Sequence, residues 1–362
     1  MSSTALIILN WNNGSDTIEC LASVLKSDAE HFRIVLIDNG STDDSVERIL
    51  AWARGEPTAG SPLIGETTLP APITVVEYDR AAAERGGSVG EEARLAQTPA
   101  QEQLLLVRIP ENLGFAGGSN VGLRYALAAG FDYALLLNND TVVTPTTLSR
   151  LVALMEDQPA IDAVTGQIRY YDRPHLIWNC GGSITWYGVV RYDYADAAVA
   201  ETPQNGWRRI PFATGCALLL RASALRATGL LTERFFHGEE DFEFALRFRR
   251  AGRLQACRYD AVIYHKVSVS IRKAANDNLK RRTYLHYLNR YIDLRDYWPR
   301  LLWELWRYPY TVYVVLALWL RRRASLREGS QIGRSLLRET TKLNGVDKQL
   351  FERVLTAQAW LP

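Results

Sequence analysis

Four continuous apolar runs dominate the first 160 residues of the chain, and the segments between them carry apolar residues at every third or fourth position. The runs predict strands buried on both faces, because neither side of a run is polar. The intervening segments gather their apolar residues on one face, which is typical of amphipathic helices. The runs are ALIILNW, RIVLID, LLLVRI and YALLLN, which begin at residues 5, 33, 104 and 133. Strands that alternate with helices predict an α/β fold with a mostly parallel sheet and helices on both faces.

The pattern changes twice further along the chain. Residues 55–103 are rich in Gly, Ala, Pro, Glu and Thr. Apart from the short strand ITVVEY, we expect them to form a polar, partly disordered insertion. Residues 160–270 contain shorter apolar runs around Gly turns, which predict antiparallel strands in a smaller mixed region. The remaining chain is helical, basic and aromatic. We therefore expect one α/β domain over 1–270 and a helical C-terminal region over 271–362.

The bulk composition is that of a folded protein with an uneven charge. Hydrophobic residues make up 47% of the 362 positions and charged residues 23%, which excludes a disordered chain. The net charge is only +2, but residues 272–342 contain 16 Lys and Arg against 6 Asp and Glu. A basic region of this kind indicates an anionic partner, either a membrane or a nucleic acid.

Cysteine usage and hydropathy indicate the cytoplasm. The four cysteines show no CxxC pair and no zinc spacing, so we expect reduced thiols. The first residues, MSSTALIILN, lack the basic segment of a signal peptide. The longest strongly apolar run, residues 308–320, has 13 residues, whereas a bilayer span needs about 20. A simple transmembrane helix is therefore not expected.

Most Asn, Asp and Gly residues of the first half follow the predicted strands. The loops that follow the predicted strands have the sequences NWNNGSD, DNGSTDD, ENLGFAGGSN and NNDT. The carboxyl ends of parallel strands meet at one edge of a sheet, where open α/β sheets bind ligands. The third loop lacks the GxGxxG order of dinucleotide-binding folds, but the start of the helix after it suits a phosphate. This edge is the predicted ligand site.

Seven motifs follow one another along the chain. They are NWNN, IDNGSTDDS, ENLGFAGGSNVGL, LLLNNDT, FATGCALLLRASAL, FFHGEEDFEFALR and AVIYH. In this order they resemble the GT-A nucleotide-sugar glycosyltransferases, specifically the large inverting group called family 2 and its bacterial rhamnosyltransferase-like members. The resemblance covers residues 4–54 and 104–270. It implies that residues 1–270 form a GT-A catalytic domain that uses a nucleoside diphosphate sugar, with dTDP-rhamnose as a candidate donor.

Asp38 ends the second apolar run. An Asp before Asn-Gly is either a turn former or a carboxylate that accepts hydrogen bonds from a ligand. The resemblance implies the second role, with the nucleotide base as the ligand, and it places Asn12 nearby. Three residues of the third loop and the helix after it are also implied to lie near the sugar donor: Asn112, Gly118 and Asn120.

The NND at residues 138–140 occupies the position of the family's metal motif. The chemistry requires a hard divalent cation on oxygen ligands. The resemblance implies that Asp140 binds Mg²⁺ or Mn²⁺, and that Asn138 contacts the ribose or, through water, the ion. Because Asn138 brings no charge, we expect weak metal binding without the donor. A lone His such as His265 is either structural or a ligand, and the resemblance implies that it reaches the metal.

The acidic run HGEEDFEF begins a predicted helix. Acidic residues at this position either form a solvated first turn, favoured by the helix dipole, or face a pocket. An inverting transfer needs one carboxylate that takes the proton of the acceptor hydroxyl. The resemblance gives this role to Asp241, with Glu240 as the alternative. It also places the segment Thr214, Gly215 and Cys216 beside the sugar and the acceptor.

The C-terminal region combines Arg with aromatic residues. Residues 296–327 hold four of the ten tryptophans, mixed with Leu and Val. This mixture suits burial better than stacking on bases, so we expect no nucleic acid. Contact with a membrane surface and packing on the core or on a partner in a homodimer both remain open.

Together with these patterns, the family resemblance implies a cytoplasmic glycosyltransferase at the inner face of the cell membrane. It would add a sugar to a glycan or lipid-linked acceptor during synthesis of a cell-surface polysaccharide or lipopolysaccharide. A sugar-nucleotide nucleotidyltransferase is one rival, but it should carry a Gly-rich loop with Arg and Lys after the first strand, and NWNNGSD has neither Arg nor Lys. A catalytically inactive binding module is the other rival, and it would have lost the carboxylates at Asp38, Asp140 and Asp241.

Overall fold

One large sheet organises the molecule, whose computed structural model describes residues 2–267, 276–320 and 324–356. Its strands are β1 (Thr4–Asn10), β2 (Phe32–Asn39), β3 (Thr74–Asp79), β4 (Gln103–Ile109), β5 (Tyr133–Asn138), β6 (Thr141–Val143), β7 (Ile161–Tyr170), β8 (Ile177–Asn179), β11 (Trp207–Ile210), β12 (Ala217–Arg221) and β13 (Leu254–His265); β9 (Gly182–Ile184) and β10 (Val190–Tyr192) form a separate hairpin. The order in the sheet is β11-β13-β7-β12-β5-β1-β2-β4-β3, with β6 beside β13 and β8 beside β7.

Helices cover both faces of this sheet, as predicted. They are α1 (Gly14–Leu25), α2 (Ser45–Ala53), α3 (Arg80–Glu84), α4 (Val89–Gln97), α5 (Gly114–Ala128), α6 (Thr147–Asp157), α7 (Ala222–Thr228), α8 (Glu240–Arg250), α9 (Asn276–Tyr297), α10 (Arg300–Leu320), α11 (Leu326–Glu339) and α12 (Lys348–Thr356). Successive residues of a strand point to opposite faces. Leu6 and Ile8 therefore join the apolar core under α1, α2 and α6, whereas Ala5 and Ile7 join the core under α5.

The first half of the sheet is parallel and aligns the ends of its strands. Strand β1 pairs in parallel with both β2 and β5. In this register Asn10 lies opposite Asp38, and Leu9 lies opposite Asn138. The loops that follow the three strands therefore meet at one edge, as the apolar runs predicted.

The second half of the sheet is mixed. Strand β12 runs antiparallel to both β5 and β7, as predicted for this region. Strand β13 instead runs parallel to β7, with a register shift between Arg258 and Val262. The last residues of β13 also pair with β6, where His265 lies opposite Thr141. This pairing carries the end of β13 to the same edge as the end of β5.

The segment 55–103 differs from the partly disordered insertion that we expected. Strand β3 adds to the outer side of β4 in parallel, and α3 and α4 follow it. Leu95 of α4 is fully buried. The side chain of Glu92 forms an ion pair with Arg33 and accepts a hydrogen bond from Tyr125 at 3.0 Å. A few apolar and charged anchors thus order a segment whose average composition is polar.

The C-terminal helices share an apolar core with helix α8. Phe242 and Leu246 of α8 lie in one cluster with Tyr284 and Leu288 of α9 and Trp306 of α10. The predicted boundary at residue 270 lies outside the described residues. Helix α9, directly after it, packs against the acidic turn that begins α8. In the described part of the chain, no helix has both the length and the apolar character needed to cross a membrane.

Candidate functional site

Asp38 lies at the ligand edge and is held by its neighbours. Asn10 donates a hydrogen bond to Oδ1 of Asp38 at 3.0 Å, and the backbone N–H of Ser41 donates to Oδ2 at 3.3 Å. The side chain is almost completely buried. Each carboxylate oxygen retains a further lone pair, so Asp38 can still accept hydrogen bonds from a ligand.

Asn12 and Asn112 shape the loops around Asp38. Asn12 has a φ of 50°, and its side-chain oxygen accepts hydrogen bonds from the backbone of Thr42 at 2.7 Å and of Asp43 at 3.3 Å. The side-chain oxygen of Asn112 accepts from Asn39 at 3.0 Å and from the backbone of Gly114 at 2.8 Å. These two predicted donor-binding residues therefore tie the loops of the edge to one another.

Gly118 and Asn120 point into the protein. A Cβ atom at Gly118 would lie 2.5 Å from Cδ1 of Leu9 and 3.0 Å from Cγ of Asn39, so this glycine lets α5 approach the sheet closely. Asn120 donates to the backbone of Leu231 at 2.9 Å and to Glu233 at 2.7 Å. Both N–H groups of its amide are in use. The geometry gives these two residues packing contacts, and their position near the donor stays a prediction.

Asp140 and His265 meet at the ligand edge, although 125 positions separate them in the chain. Nε2 of His265 lies 3.1 Å from Oδ1 of Asp140. The edge of the Trp178 ring packs on His265, with the ring centroids 4.6 Å apart. Burial would raise the pKa of Asp140, but its hydrogen bond with His265 and the nearby positive charge lower that pKa below its usual range. Asp140 is therefore a charged carboxylate.

The donor set at this edge fits a divalent cation with few protein ligands. Asp140 offers an oxygen, which suits both Mn²⁺ and Mg²⁺, and His265 offers a nitrogen, which suits a transition-metal ion such as Mn²⁺ better than Mg²⁺. Oδ1 of Asn138 is buried and has no hydrogen-bond partner among the described residues. In residues 2–267, 276–320 and 324–356, no three or more His, Cys, Asp and Glu side chains form a metal-holding group. An ion here would therefore need further oxygen ligands from elsewhere.

A short segment before β12 connects this pair with the acidic turn. The backbone N–H of Gly215 donates to Oδ2 of Asp241 at 3.3 Å. The next residue, Cys216, contacts the side chain of His265, and its carbonyl accepts from the backbone of Asn138 at 2.8 Å. The hydroxyl of Thr214 is buried without a hydrogen-bond partner in the described structure. The structure thus brings the predicted metal, acceptor and base residues together.

Glu240 and Asp241 occupy the first turn of α8 and differ in how easily they lose a proton. Burial, with the charge of Glu239 nearby, raises the pKa of Asp241 to about 6. Burial, with the charge of Asp241, raises the pKa of Glu240 to about 8. Oε2 of Glu240 has no hydrogen-bond partner in the part of the chain that the structure describes. Because Asp241 accepts the hydrogen bond from Gly215 whereas Oε2 of Glu240 accepts none from the described residues, Asp241 is the charged member of the pair at neutral pH. It is also partly accessible to solvent.

Glu239 and Arg290 belong to the site but were not among the predicted residues. Glu239 has a φ of 71° and directly precedes α8. Burial would raise its pKa, but the charges of Arg290 and His286 lower it to about 2. Arg290 also stacks on the ring of Phe242 at 3.7 Å from the centroid. Only a weak signal in the sequence indicates that these residues contact the acidic turn. His286 and Arg290 are basic residues four positions apart, on a predicted helix about forty residues after that turn.

Comparisons with known proteins agree with this architecture. A model of glycosyl transferase family group 2 matches residues 133–331, and a model of glycosyl transferase family 2 matches residues 5–59. Uncharacterized proteins of Mycobacterium bovis and Mycobacterium tuberculosis are 30% identical over 146 residues, which is 39% of this chain and 49% of theirs. The chain thus spans about half the length of the curated relatives it matches.

One solved structure resembles the fold over nearly the whole chain. It is a mannosyltransferase from Pyrobaculum calidifontis in complex with GDP-Man and Mn²⁺. The TM-score is 0.50 at 14% sequence identity, and the match covers 97% of this chain and 84% of that one. At this identity the likeness shows the fold, which is the GT-A fold.

Proposed function

Since the chain belongs to glycosyl transferase family group 2, we propose that it transfers a sugar, with inversion, from a nucleoside diphosphate sugar to a glycan or lipid-linked acceptor. One observation carries the proposal: a charged carboxylate, Asp241, stands beside a candidate metal site. Gly215 contacts Asp241, and the next residue, Cys216, contacts His265. A sugar held at the metal edge would therefore be in reach of a base.

The ligand edge supports a donor site with a divalent cation. Asp140 and His265 would hold Mg²⁺ or Mn²⁺, and the orphaned oxygen of Asn138 would add a neutral ligand or contact the ribose. When bound, the ion neutralises charge on the leaving diphosphate. Asp38 would accept hydrogen bonds from the base, inside the loops that Asn12 and Asn112 hold together. The mannosyltransferase bound to GDP-Man and Mn²⁺ is consistent with this donor class, and the family resemblance of the motifs makes dTDP-rhamnose the first donor to test.

Asp241 would act as the general base. A base is most effective when its pKa lies near the working pH, and the pKa of Asp241 is raised to about 6. Its carboxylate would take the proton of the acceptor hydroxyl as the oxygen attacks C1 from the face opposite the diphosphate. Glu240 keeps its own proton at neutral pH because its pKa is higher. The inverting reaction then needs no covalent nucleophile.

The acceptor class implies a place in the cell. A lipid-linked acceptor is met at a bilayer, so we propose that the protein works in the cytoplasm as a peripheral protein of the inner face of the cell membrane. Synthesis of a cell-surface polysaccharide or lipopolysaccharide would use this reaction. A homodimer is compatible with this function but is not required by it.

Thermal stabilisation by nucleoside diphosphate sugars tests the donor site. We expect at least one donor to raise the melting temperature, and Mn²⁺ to increase that shift. Asp38→Asn should lose much of the stabilisation, whereas Asp28→Asn should retain it, because Asp28 is exposed just beyond the end of α1. A screen of UDP, GDP and dTDP sugars in which none stabilises the protein, with or without Mn²⁺, would overturn the proposal.

A further inference from the structure

Helix α10 (Arg300–Leu320) exposes an apolar face to solvent along its whole length. Nine of the 14 large apolar side chains that are exposed in the described residues belong to this one helix. Their spacing of three and four residues forms a continuous stripe. The stripe includes Leu301, Leu305, Tyr308, Val312, Leu316 and Trp319, which are between 44% and 72% exposed. An exposed apolar surface about 30 Å long, at 1.5 Å per residue, indicates a binding surface.

The opposite face of the same helix is already occupied by protein. Trp303, Trp306 and Val314 are buried in the core that α10 shares with α8 and α9. The indole of Trp303 donates to the backbone of Tyr291 at 3.0 Å. Because one side of the helix is held in this core, only the exposed stripe of α10 is available to a partner.

The neighbouring helix α11, whose Gly329 and Gly333 pack on α10, carries positive charge on its exposed face. Arg327, Arg334 and Arg338 are exposed and lie on one face of α11, at spacings of seven and four residues. Arg338 pairs with Glu339, whereas Arg327 and Arg334 have no ion-pair partner among the described residues. Anionic lipid headgroups complement this charge. A second copy of the chain would instead bring a second set of the same arginines to the contact.

The hairpin of β9 and β10 connects helix α10 with the turn that carries the proposed base. Trp186 at its tip is 84% exposed. The adjacent carbonyl of Tyr187 accepts a hydrogen bond from Trp306 of α10 at 3.1 Å. At the base of the hairpin, Tyr192 lies near Asp241. Burial raises the pKa of Tyr192, and the charge of the Asp241 carboxylate raises it further. One short element therefore contacts helix α10 at one end and approaches the turn of Asp241 at the other.

We propose that the exposed stripe of α10, with Trp186 and the arginines of α11, docks on the surface of a bilayer that contains anionic phospholipids. The helix lies on the membrane interface, with its aromatic and leucine side chains among the acyl chains and the arginines at the headgroups. This docking proposal rests on the proposed function in one respect only, because a lipid-linked acceptor is what would bring the protein to a bilayer. Its test measures binding and needs no turnover.

Flotation with vesicles of phosphatidylcholine, with and without phosphatidylglycerol, tests the proposal. We expect the triple variant Leu305→Glu, Val312→Glu, Leu316→Glu to bind roughly tenfold or more weakly, because charges replace apolar surface that would be buried. Arg327→Gln with Arg334→Gln should lose the gain from phosphatidylglycerol. Val89→Glu is the matched control, since Val89 is 90% exposed on the distant helix α4. Equal binding by wild type and triple variant would overturn the proposal, as would no binding by wild type.

Two further measurements cover the other outcomes. Brominated lipids should quench tryptophan fluorescence of the wild type, and Trp186→Phe with Trp319→Phe should abolish most of that quenching; unchanged quenching would contradict the assigned surface. The quenching measurement does not use the triple variant, so it tests the surface even if that variant fails to fold.

Molar mass in solution identifies a different occupant. A wild-type dimer that the triple variant dissociates would show that a second copy covers the stripe. Donor stabilisation is measured separately, so the failure of either proposal is recognised independently.

Discussion

Nη2 of Arg290 lies 2.9 Å from Oε1 of Glu239, inside the protein and directly before the helix that carries Asp241. His286 Nδ1 approaches the same oxygen at 2.8 Å. The ion pair holds Glu239 in its left-handed conformation, which an L residue adopts only where its surroundings fix it. The C-terminal helix α9, which lies within the region that the family model matches, therefore contacts the turn that carries the proposed base.

Replacing Arg290 should lower the stability of the protein and raise the pKa of the proposed base, Asp241. Arg290→Met leaves the carboxylate of Glu239 buried without its partner, which should cost roughly 3–5 kcal/mol in the free energy of unfolding. The positive charge of Arg290 also lowers the pKa of Asp241, so the acidic limb of kcat/KM should move to higher pH. Arg290→Lys should restore part of the stability and part of the original pH dependence. Arg249→Met, on the exposed side of α8, is the control; an Arg290→Met variant indistinguishable from it would refute the positioning role.

Activity should fall on the acidic side of neutrality. Because the pKa of Asp241 is raised to about 6, kcat/KM should drop roughly tenfold per pH unit below that value, as measured between about pH 5 and 8. The folded protein holds this proton more tightly than the unfolded chain. This group therefore stabilises the fold below about pH 6, and that contribution is lost as the pH rises through the pKa. A flat profile down to about pH 5 would contradict the assignment.

Metal binding should depend on the donor. The edge offers one carboxylate, Asp140, and neither His265 nor Asn138 adds a second negative charge, so Mn²⁺ should bind weakly alone. With a nucleoside diphosphate present, the affinity should rise by a factor in the range of about 5–150 that is usual for coupled ligands. Titration calorimetry of wild type, Asp140→Asn and the control Asp28→Asn would measure this. Equal Mn²⁺ affinity with and without the nucleotide would refute the shared site.

Gly118 should matter for stability through packing. Gly118→Ala places a methyl group against Leu9 and Asn39, and such overpacking should cost about 1–3 kcal/mol. Gly90 offers a matched control, because a Cβ atom there meets nothing within 4 Å. Gly90→Ala in helix α4 should be neutral or stabilising by up to about 1 kcal/mol. Thermal and urea unfolding of the two variants would compare them; equal stability would show that α5 has room to move.

The parallel half of the sheet could be predicted because its signal is local. Runs such as RIVLID are apolar on every residue, and the polar loops after them fall at one edge by topology alone. The position of Asp38 follows from this. The contact between Asp140 and His265 was implied only by the family resemblance, since the pairing of β6 with β13 leaves no local trace in the sequence.

The remaining features depend on contacts between distant residues. The pattern of 55–103 is polar on average, and its order rests on a few anchors such as Leu95 and the pair of Arg33 with Glu92. A motif glycine such as Gly118 indicates close approach, but the sequence does not say whether the approaching group is a ligand or Leu9. Arg290 stands in a helix with many other basic residues, and only the fold selects it as the partner of Glu239. The basic residues Arg321 to Arg323 of the C-terminal region lie outside the described residues.

Replacement of the proposed base tests the account most directly. With a donor identified by thermal stabilisation, turnover and donor affinity should be measured for wild type, Asp241→Asn and Glu240→Gln. Asp241→Asn should lower kcat by about 10²–10⁴-fold, the usual contribution of a general base, while donor affinity stays unchanged. Glu240→Gln should retain far more activity, because Glu240 already carries its proton at neutral pH. Unchanged turnover in Asp241→Asn would contradict the account.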